Sequence, residues 1–271
     1  MTPTIKNTGF PLTLTDPLGH IIYLPNPPQR IVSLVPSQTE LLYDLGLGNQ
    51  IVGQTQFCIH PKEAFKTATR VGGTKNFRVQ QIQELKPDLI IGNQEENEPQ
   101  RIQELMQAFP VWISQIFTLT DALEMITTLG TLTQTQSKAQ KLVQNIQNQF
   151  RSITPLTTPK RVLYLIWKKP WMAAGRHTFI NNMIERAGLV NVCEPHSRYP
   201  ELSTEQIVAL NPEVVLLSSE PYPFSEKHKV ELSALLPNSQ IILADGELLS
   251  WYGSRLQYTA PYLQDLAHML S

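Results

Sequence analysis

The sequence is poor in several features that would narrow its function at once. Its 271 residues include only two cysteines, Cys58 and Cys193, which are far apart and form neither a disulfide framework nor a CxxC pair. The formal net charge is −1, so there is no basic field to hold nucleic acid or an anionic membrane. No apolar run is long enough to span a bilayer, and we expect no membrane insertion.

Export and catalytic motifs are also missing. The stretch MTPTIKNTGFPLTLTD has neither an apolar core nor a small-residue cleavage site, so the location expected for the chain as written is cytoplasmic. No GxSxG, P-loop, Gly-rich dinucleotide fingerprint or HExxH is present. The acidic pairs Glu95/Glu96 and Asp245/Glu247 lie in turn-like stretches, which favour such residues for backbone reasons. We therefore expect a protein that is not an enzyme.

What the sequence does contain is an internal duplication. QQIQELKPDLIIGN (80–93) and EQIVALNPEVVLLSS (205–219) share Gln-Ile-x-x-Leu-x-Pro-acid followed by aliphatic residues, so that Pro87 matches Pro212. Each predicts a short helix stopped by proline and then a buried strand. A second pair of matching segments lies upstream of these. Each has the same order of features: a basic residue, a predicted strand, a polar turn, an amphipathic helix, a glycine and an aliphatic stretch. The two segments are RIVSLVPSQTELLYDLGLGNQIVG and KRVLYLIWKKPWMAAGRHTFINNMIERAGLVNV. The chain is predicted to be two similar α/β halves.

This alternation predicts parallel sheets with helices on their faces and ligands at the carboxyl ends of the strands. Between the halves, helical spacing of apolar residues predicts one amphipathic helix of about 20 residues, through Leu132, Ala139, Leu142, Val143, Ile146, Phe150 and Ile153. The expected fold class is α/β, with two Rossmann-like three-layer lobes, parallel sheets and one long joining α-helix. The predicted boundaries are a β-hairpin extension over 1–28, an N-terminal lobe over 29–131, the linking helix over 132–158 and a C-terminal lobe over 159–271.

Several stretches carry a resemblance to a known family. They are YLPNPPQRIVSLVPSQTELLYDLGLGNQIVG, RVGGTKNFRVQQIQELKPDLIIGN, the predicted linking helix and STEQIVALNPEVVLL. With them the chain resembles the helical-backbone (class III) periplasmic substrate-binding proteins of ABC importers, the group that receives cobalamin, ferric siderophores and haem. FCIHP, NQEEN, IWKKPWMAAGRHTFI and SWYGSRL are similar to a subgroup described as cobalamin-binding.

The resemblance implies a ligand held between two lobes, with no covalently required cofactor. The ligand it implies is a corrinoid or an iron chelate: cobalamin-like first, with a ferric siderophore or haem as the alternative. In the cobalamin receptor the positions matching Phe57, Thr74, Asn93 and Tyr199 are aromatic, and two of the four are polar here, which leaves room for another corrinoid or metal chelate. The resemblance and the side-chain chemistry together give these ligand-binding candidates: Phe57, Thr74, Asn93, Trp171, His177, Tyr199, Trp251, Tyr252 and Arg255.

The side chains of this set suit a large, flat chelate, because stacked rings bury area and a few polar groups fix orientation. The aromatic wall is expected to consist of Trp167, Trp171, Tyr199, Trp251 and Tyr252. Trp167 ends a strand and is equally compatible with the core. Arg255 is expected to clamp a carboxylate, phosphate or amide oxygen, with a surface salt bridge as the alternative.

Metal ligation is a weaker possibility. Cys58 and His60 are two residues apart and would face the same side of a strand, although a buried thiol and a turn-capping histidine are the commoner explanations. A single axial ligand from His177 or His60, a pair from Cys193 and His196, and a bare-ion site of Cys58, His60 and His177 are further alternatives. No resident metal is expected.

The resemblance also implies an ABC permease as partner, and a monomer that binds a small metal chelate. Family members present one glutamate from each lobe to the permease; the matching residues here are Glu205 and Gln80. The neutral Gln80 and the missing export signal leave a second hypothesis open, a cytosolic protein or enzyme that handles metal chelates on the same fold.

Overall fold

The computed structural model of the chain describes residues 9–62, 68–154 and 156–270. The chain divides into two compact units. Unit 1 contains Met1–Ile116, Thr120–Gln144 and Tyr252–Arg255, and unit 2 contains Phe117–Leu119, Asn145–Trp251 and Leu256–Ser271. Residues 1–8, the start of the predicted hairpin extension and of the stretch searched for an export signal, lie outside the described residues. No helix within the described ranges is long and apolar enough to cross a membrane.

The predicted hairpin is present in unit 1. Strands β1 (Leu12–Thr15) and β2 (Ile21–Leu24) pair antiparallel. Asp16 lies in the turn and is buried; its carboxylate accepts the backbone N–H groups of Leu18 and His20 at 2.9 Å each. The same carboxylate accepts the N–H of Ile113 at 3.3 Å, which ties the hairpin to the rest of the unit.

The sheet of unit 1 is parallel, as predicted. Its described strands are β3 (Ile31–Ser33), β4 (Ile51–Gln54), β5 (Thr69–Arg70), β6 (Leu89–Asn93) and β7 (Val111–Ser114), in the order β5-β4-β3-β6-β7. The helices between and after them are α1 (Pro36–Asp44), α2 (Val79–Glu84), α3 (Pro99–Met106) and α4 (Leu119–Leu132). The strands read as apolar runs because their residues are covered on both faces.

The predicted linking helix is shorter than expected. Helix α5 spans Gln136–Arg151, and the boundary between the units falls inside it, at residues 144 and 145. Leu132 instead ends α4, and Ile153 lies beyond α5. The break arises at Gln134, whose φ is +57°, with the N–H of Thr135 bonded to the carbonyl of Gly130 at 2.7 Å, a helix-ending pattern. Because Gln134 is neither glycine nor proline, the sequence does not signal that a helix ends at this position.

The sheet of unit 2 is mixed, which corrects the expectation of a purely parallel one. Its described strands are β8 (Arg161–Trp167), β9 (Trp171–Ala173), β10 (Val190–Asn191), β11 (Glu201–Leu202), β12 (Val214–Ser218) and β13 (Gln240–Ala244). β8, β10, β12 and β13 pair parallel, whereas β9 pairs antiparallel with β8 and with β11. The turn between β8 and β9 falls where the sequence predicts only a polar loop. The helices are α6 (Phe179–Arg186), α7 (Thr204–Leu210), α8 (Glu226–Leu235), α9 (Gly246–Ser250) and α10 (Leu256–Met269).

The duplication is confirmed, and its contacts explain the repeated motif. In unit 1 the Arg30 guanidinium donates to the carbonyl of Leu85 at 2.6 Å, and Asp88 accepts the Arg30 backbone N–H at 2.8 Å. In unit 2, Arg161 donates to the carbonyl of Leu210 at 2.7 Å, and Glu213 accepts the Arg161 N–H at 3.0 Å. The basic residue just before β3 or at the start of β8 therefore closes the helix end, and the acid after each proline fixes the strand.

Candidate functional site

The unit 1 candidates lie at or just beyond the carboxyl ends of its strands. Phe57 follows β4 and is 51% exposed, and an added Cβ at Gly73 would lie 3.3 Å from its ring. Thr74 follows β5, is half-buried, and accepts a hydrogen bond on its carbonyl from Asn97 at 3.0 Å. An exposed aromatic ring at this edge of a parallel sheet is available to a ligand.

Asn93 has a structural role within unit 1. It is buried at the end of β6, and its amide donates to the Ser114 hydroxyl at 2.9 Å. Its side-chain oxygen accepts the N–H groups of Glu95 at 2.8 Å and Glu96 at 3.2 Å. Asn93 thus uses both ends of its amide to shape the following loop and to position Glu96, and its role as a ligand contact stays a prediction.

The segment Tyr252–Arg255 is counted with unit 1, where two carboxylates hold it. The Tyr252 hydroxyl donates to Glu96 at 2.8 Å. Arg255 donates from Nε and Nη2 to the two oxygens of Glu40, at 2.9 and 2.7 Å, with both side chains less than one-sixth exposed. A ligand clamp by Arg255 stays a prediction. The alternative, a salt bridge, is what the structure shows, although it is largely buried rather than on the surface.

Trp251 is held within unit 2. Its indole Nε1 donates to Glu220 at 2.7 Å, and the Ser250 hydroxyl donates to the same oxygen at 2.9 Å. Burial raises the pKa of Glu220, and the two hydrogen bonds oppose the shift. Trp251 is 8% and Tyr252 6% exposed. The polar atoms of both residues are thus bound to protein carboxylates, and little of either ring is exposed. Their role in ligand binding stays a prediction.

A cluster of aromatic side chains in unit 2 includes both tryptophans of the WKKPW loop. Trp167 is 39% exposed and meets Tyr222 edge to face, with ring centroids 5.4 Å apart. Trp171 is half-buried and stacks on Phe224, with ring centroids 6.2 Å apart.

His228 adds hydrogen bonds to this cluster. The N–H of Ser225 donates to Nδ1 of His228 at 3.0 Å, so Nε2 carries the proton and donates to Tyr222 at 3.2 Å. Sequence reasoning missed Tyr222, Phe224 and His228, although the aromatics of EPYPF directly after β12 are a usable signal.

His177 and Tyr199 lie on two loop segments of unit 2 that pair with each other. An isolated parallel bridge joins Arg176 and Ser197. His177 is exposed, and its Nδ1 lies 3.3 Å from the Ser197 hydroxyl. Tyr199 is half-buried, with the Arg198 guanidinium 5.7 Å from its ring centroid. The structure therefore brings these two candidates onto two neighbouring backbone segments.

The cysteine candidates are buried thiols. The sulfur of Cys58 lies 3.1 Å from the hydroxyls of Thr39 and Thr55, and burial raises the pKa of its thiol. Strand β4 ends before Cys58, so Cys58 and His60 do not share a strand face as expected. Burial also raises the pKa of the Cys193 thiol, to about 11. Among the described residues, no group of three or more His, Cys, Asp or Glu side chains is placed to hold a metal ion.

A shallow apolar cavity on unit 2 has a volume of about 210 Å³. Its lining residues are His196, Leu202, Gln206, Ala209 and Leu210. Pockets for drug-sized molecules have volumes of roughly 300–1,000 Å³. The cavity is therefore too small for a corrin or porphyrin and is not a candidate for the chelate.

The two expected docking residues occupy equivalent positions. Gln80 is the second residue of α2, and Glu205 is the second residue of α7; both are exposed. The Ser203 hydroxyl donates to the Glu205 carboxylate at 2.6 Å and lowers the pKa of Glu205. Ser203 and Gln206 also form a capping box at the start of α7. The duplication thus presents one charged and one neutral side chain at the same helical position.

Comparison with known sequences decides the family. A profile of the family described as periplasmic binding protein matches residues 31–238, which is more than half of the chain. The chain belongs to the periplasmic binding protein family. This confirms the resemblance seen in the sequence and assigns the chain to a family of binding proteins rather than enzymes.

Several known proteins are similar to this chain. The vitamin B12-binding protein of Vibrio cholerae is 29% identical over 203 residues, which cover 72% of each chain. An uncharacterised ABC transporter substrate-binding lipoprotein of Bacillus subtilis is 27% identical over 222 residues, covering 78% of this chain and 70% of its own. The crystal structure of the periplasmic haem-binding protein HutB of Vibrio cholerae has a TM-score of 0.76 at 25% identity, covering 88% of this chain and 98% of its own. The two-lobed α/β fold is thus confirmed.

Proposed function

We propose that the chain is the substrate-binding protein of an ABC-type importer and that it captures a corrinoid or a related metal chelate. The observation that carries the ligand class is the similarity to a vitamin B12-binding protein over 72% of both chains. The chelate is bound non-covalently and is released intact, since the family is one of binding proteins.

Five of the nine predicted ligand-binding side chains are proposed to face the chelate directly. They are Phe57, Thr74, Trp171, His177 and Tyr199. All are exposed or half-buried, and three are aromatic. Rings of this kind bury much of a flat ligand at low entropic cost. Trp251 and Tyr252 support the site indirectly, through the carboxylates that hold them.

Delivery to a permease is supported by the equivalent positions of Glu205 and Gln80. The Ser203 hydroxyl lowers the pKa of the Glu205 carboxyl and orients the carboxylate at the start of α7, which favours a charge-assisted contact to an arginine. Gln80 offers only a neutral hydrogen bond at the matching position. Docking is therefore asymmetric, with the stronger contact made by the second half of the chain.

Haem is the second candidate, favoured by the similarity to HutB. The contact between His177 Nδ1 and Ser197 suits an axial ligand, because a proton donated from Nδ1 to the hydroxyl leaves Nε2 as the metal-binding nitrogen. Haem binding through His177 would give a Soret spectrum that changes when His177 is replaced.

The test is a thermal-shift panel with cobalamin, cobinamide, haem and several ferric siderophores. A ligand present at 100 times its dissociation constant adds about 2.7 kcal/mol to the free energy of unfolding. The chelate recovered after binding should be chemically unchanged, which separates a binding protein from a chelate-processing enzyme. Fractionation of the producing cell then separates the importer from the cytosolic alternative. If no chelate raises the melting temperature, the proposal is wrong.

A further inference from the structure

The small apolar cavity on unit 2 lies beside the expected docking residue Glu205. Three of the residues that line it belong to α7, the helix that also carries Glu205; they are Gln206, Ala209 and Leu210. Ala209 comes one helical turn after Glu205, so the two residues lie on the same face of α7. Both are exposed. The cavity and the carboxylate are therefore neighbours on one accessible surface of unit 2.

Hydrogen bonds within unit 2 fix the α7 side of this cavity. The side-chain oxygen of Gln206 accepts the N–H of Ser203 at 2.7 Å, as part of the capping box at the start of α7. At the other end of the helix, the carbonyl of Leu210 accepts a hydrogen bond from the Arg161 guanidinium at 2.7 Å. A cavity that is held open in this way needs little ordering when a partner enters it, which favours binding.

The matching helix of unit 1 differs at both positions. Gln80 is the second residue of α2, where α7 has Glu205, and Glu84 is the sixth, where α7 has Ala209. Glu84 is exposed, so a charged side chain stands where unit 2 has a small apolar one. A partner surface that fits α7 must combine a cation with an apolar side chain, whereas one that fits α2 needs neither in the same place.

Resting on the proposed function, we propose that the cavity receives an apolar side chain of the permease, next to the permease arginine that contacts Glu205. Charge complementarity places a cation at the carboxylate. The volume of about 210 Å³ is below that of pockets for drug-sized molecules and suits a side chain the size of leucine or phenylalanine. Buried apolar anchors of this kind contribute much of the binding free energy of an interface.

The test measures docking of the chain to the ABC permease of the producing cell, reconstituted in nanodiscs. Ala209→Leu and Ala209→Gln fill the cavity with their own side chains. We expect each to weaken docking by about tenfold or more, because the permease side chain can no longer enter. Leucine and glutamine are good helix formers, so both variants should unfold at the same urea concentration as wild type.

Ala234→Leu and Ala234→Gln are the matched controls. Ala234 is also an exposed alanine on a helix of unit 2, α8, and it does not line the cavity. Both control variants should dock as wild type does. Glu205→Gln is measured beside them, because it tests docking through α7 without changing the cavity. Weaker docking of Glu205→Gln together with unchanged docking of both Ala209 variants would overturn the inference and leave the proposed function intact.

Two further results bear on the inference. If wild type does not dock to the permease, the proposed delivery fails and the inference falls with it. Sedimentation of the chain without permease tests a second copy as the occupant of the cavity, and wild type should sediment as a monomer. A dimer that Ala209→Leu abolishes would place a second copy in the cavity and overturn the inference.

Discussion

Arg255 and Glu40, 215 residues apart in the chain, form a bidentate pair in which two N–H groups meet two carboxylate oxygens at 2.9 and 2.7 Å. We expect Arg255→Ala to lower the free energy of unfolding by about 3 kcal/mol, because Glu40 is then left buried without its partner. Glu40→Ala/Arg255→Ala should recover part of this loss. Urea unfolding measures the free energy of unfolding of the single and double variants. A double-mutant cycle then gives the coupling free energy between Glu40 and Arg255.

The exposed pair Lys160 and Glu213 is the control for this prediction. Its N···O distance is 3.4 Å, and both side chains are more than one-third exposed. Lys160→Ala should cost less than about 1 kcal/mol. If Arg255→Ala and Lys160→Ala lower the free energy of unfolding equally, burial does not strengthen the Glu40–Arg255 pair.

The fold could be predicted from the sequence because its signals are local and occur twice. Leu-x-Pro-acid marks a helix end and the start of a strand, and Arg30, just before β3, and Arg161, at the start of β8, donate to the carbonyls at those helix ends. The candidate site was less predictable, since its contacts join distant stretches. Nothing near SWYGSRL in the sequence indicates that Arg255 forms a salt bridge with Glu40 or that Tyr252 donates a hydrogen bond to Glu96. The predicted boundaries at 1–28, 29–131, 132–158 and 159–271 stay predictions.

Gly253 is required by both its backbone and its surroundings. Its φ is +136°, and an added Cβ would lie 2.9 Å from the carbonyl oxygen of Ser37. We expect Gly253→Ala to destabilise the protein by about 2 kcal/mol or more, from backbone strain plus this contact. Gly19→Ala is the control, because φ there is +93° but nothing lies within 4 Å of the added Cβ. If Gly253→Ala lowers the free energy of unfolding no more than Gly19→Ala does, the contact with Ser37 does not contribute to the effect.

Glu220 should make stability depend on pH. Burial raises its pKa above the ordinary value, with hydrogen bonds from Ser250 and Trp251 opposing the shift and Glu247 and Asp245 adding to it. The native state therefore holds a proton that the unfolded chain has already lost, and the free energy of unfolding falls as pH rises from the ordinary glutamate pKa through the native one. Glu220→Gln keeps an acceptor for Trp251 but cannot titrate.

Urea unfolding of wild type and Glu220→Gln from about pH 4 to about pH 8 checks this prediction. The variant should gain stability relative to wild type as pH increases, because it avoids burying a charge. Profiles that stay parallel over the whole range would mean that Glu220 has the same pKa in the native and unfolded states.

Replacements at the two docking positions should change delivery without changing chelate affinity. Glu205→Gln should weaken docking to the permease by about tenfold or more, because a charge-assisted bond becomes neutral. Gln80→Glu should strengthen docking by a similar factor, since Gln80 holds the equivalent position on α2. Uptake of the chelate into permease-containing proteoliposomes measures delivery. Calorimetry with the chelate checks that its affinity for both variants is unchanged. Unaltered uptake by both variants would place the docking surface elsewhere.

Phe57 offers the sharpest separation between binding and stability. Because its ring is half exposed after β4, Phe57→Ala should change the free energy of unfolding by less than about 0.5 kcal/mol. Loss of a stacked ring should weaken chelate binding by about fivefold or more, since aromatic contacts contribute roughly 1 kcal/mol beyond their buried area. Tyr23→Ala removes a similarly exposed ring, at 56%, from the hairpin and should leave affinity unchanged. A chelate that binds Phe57→Ala and wild type equally well would exclude Phe57 from the site and leave Trp171 and Tyr199 as its aromatic contacts.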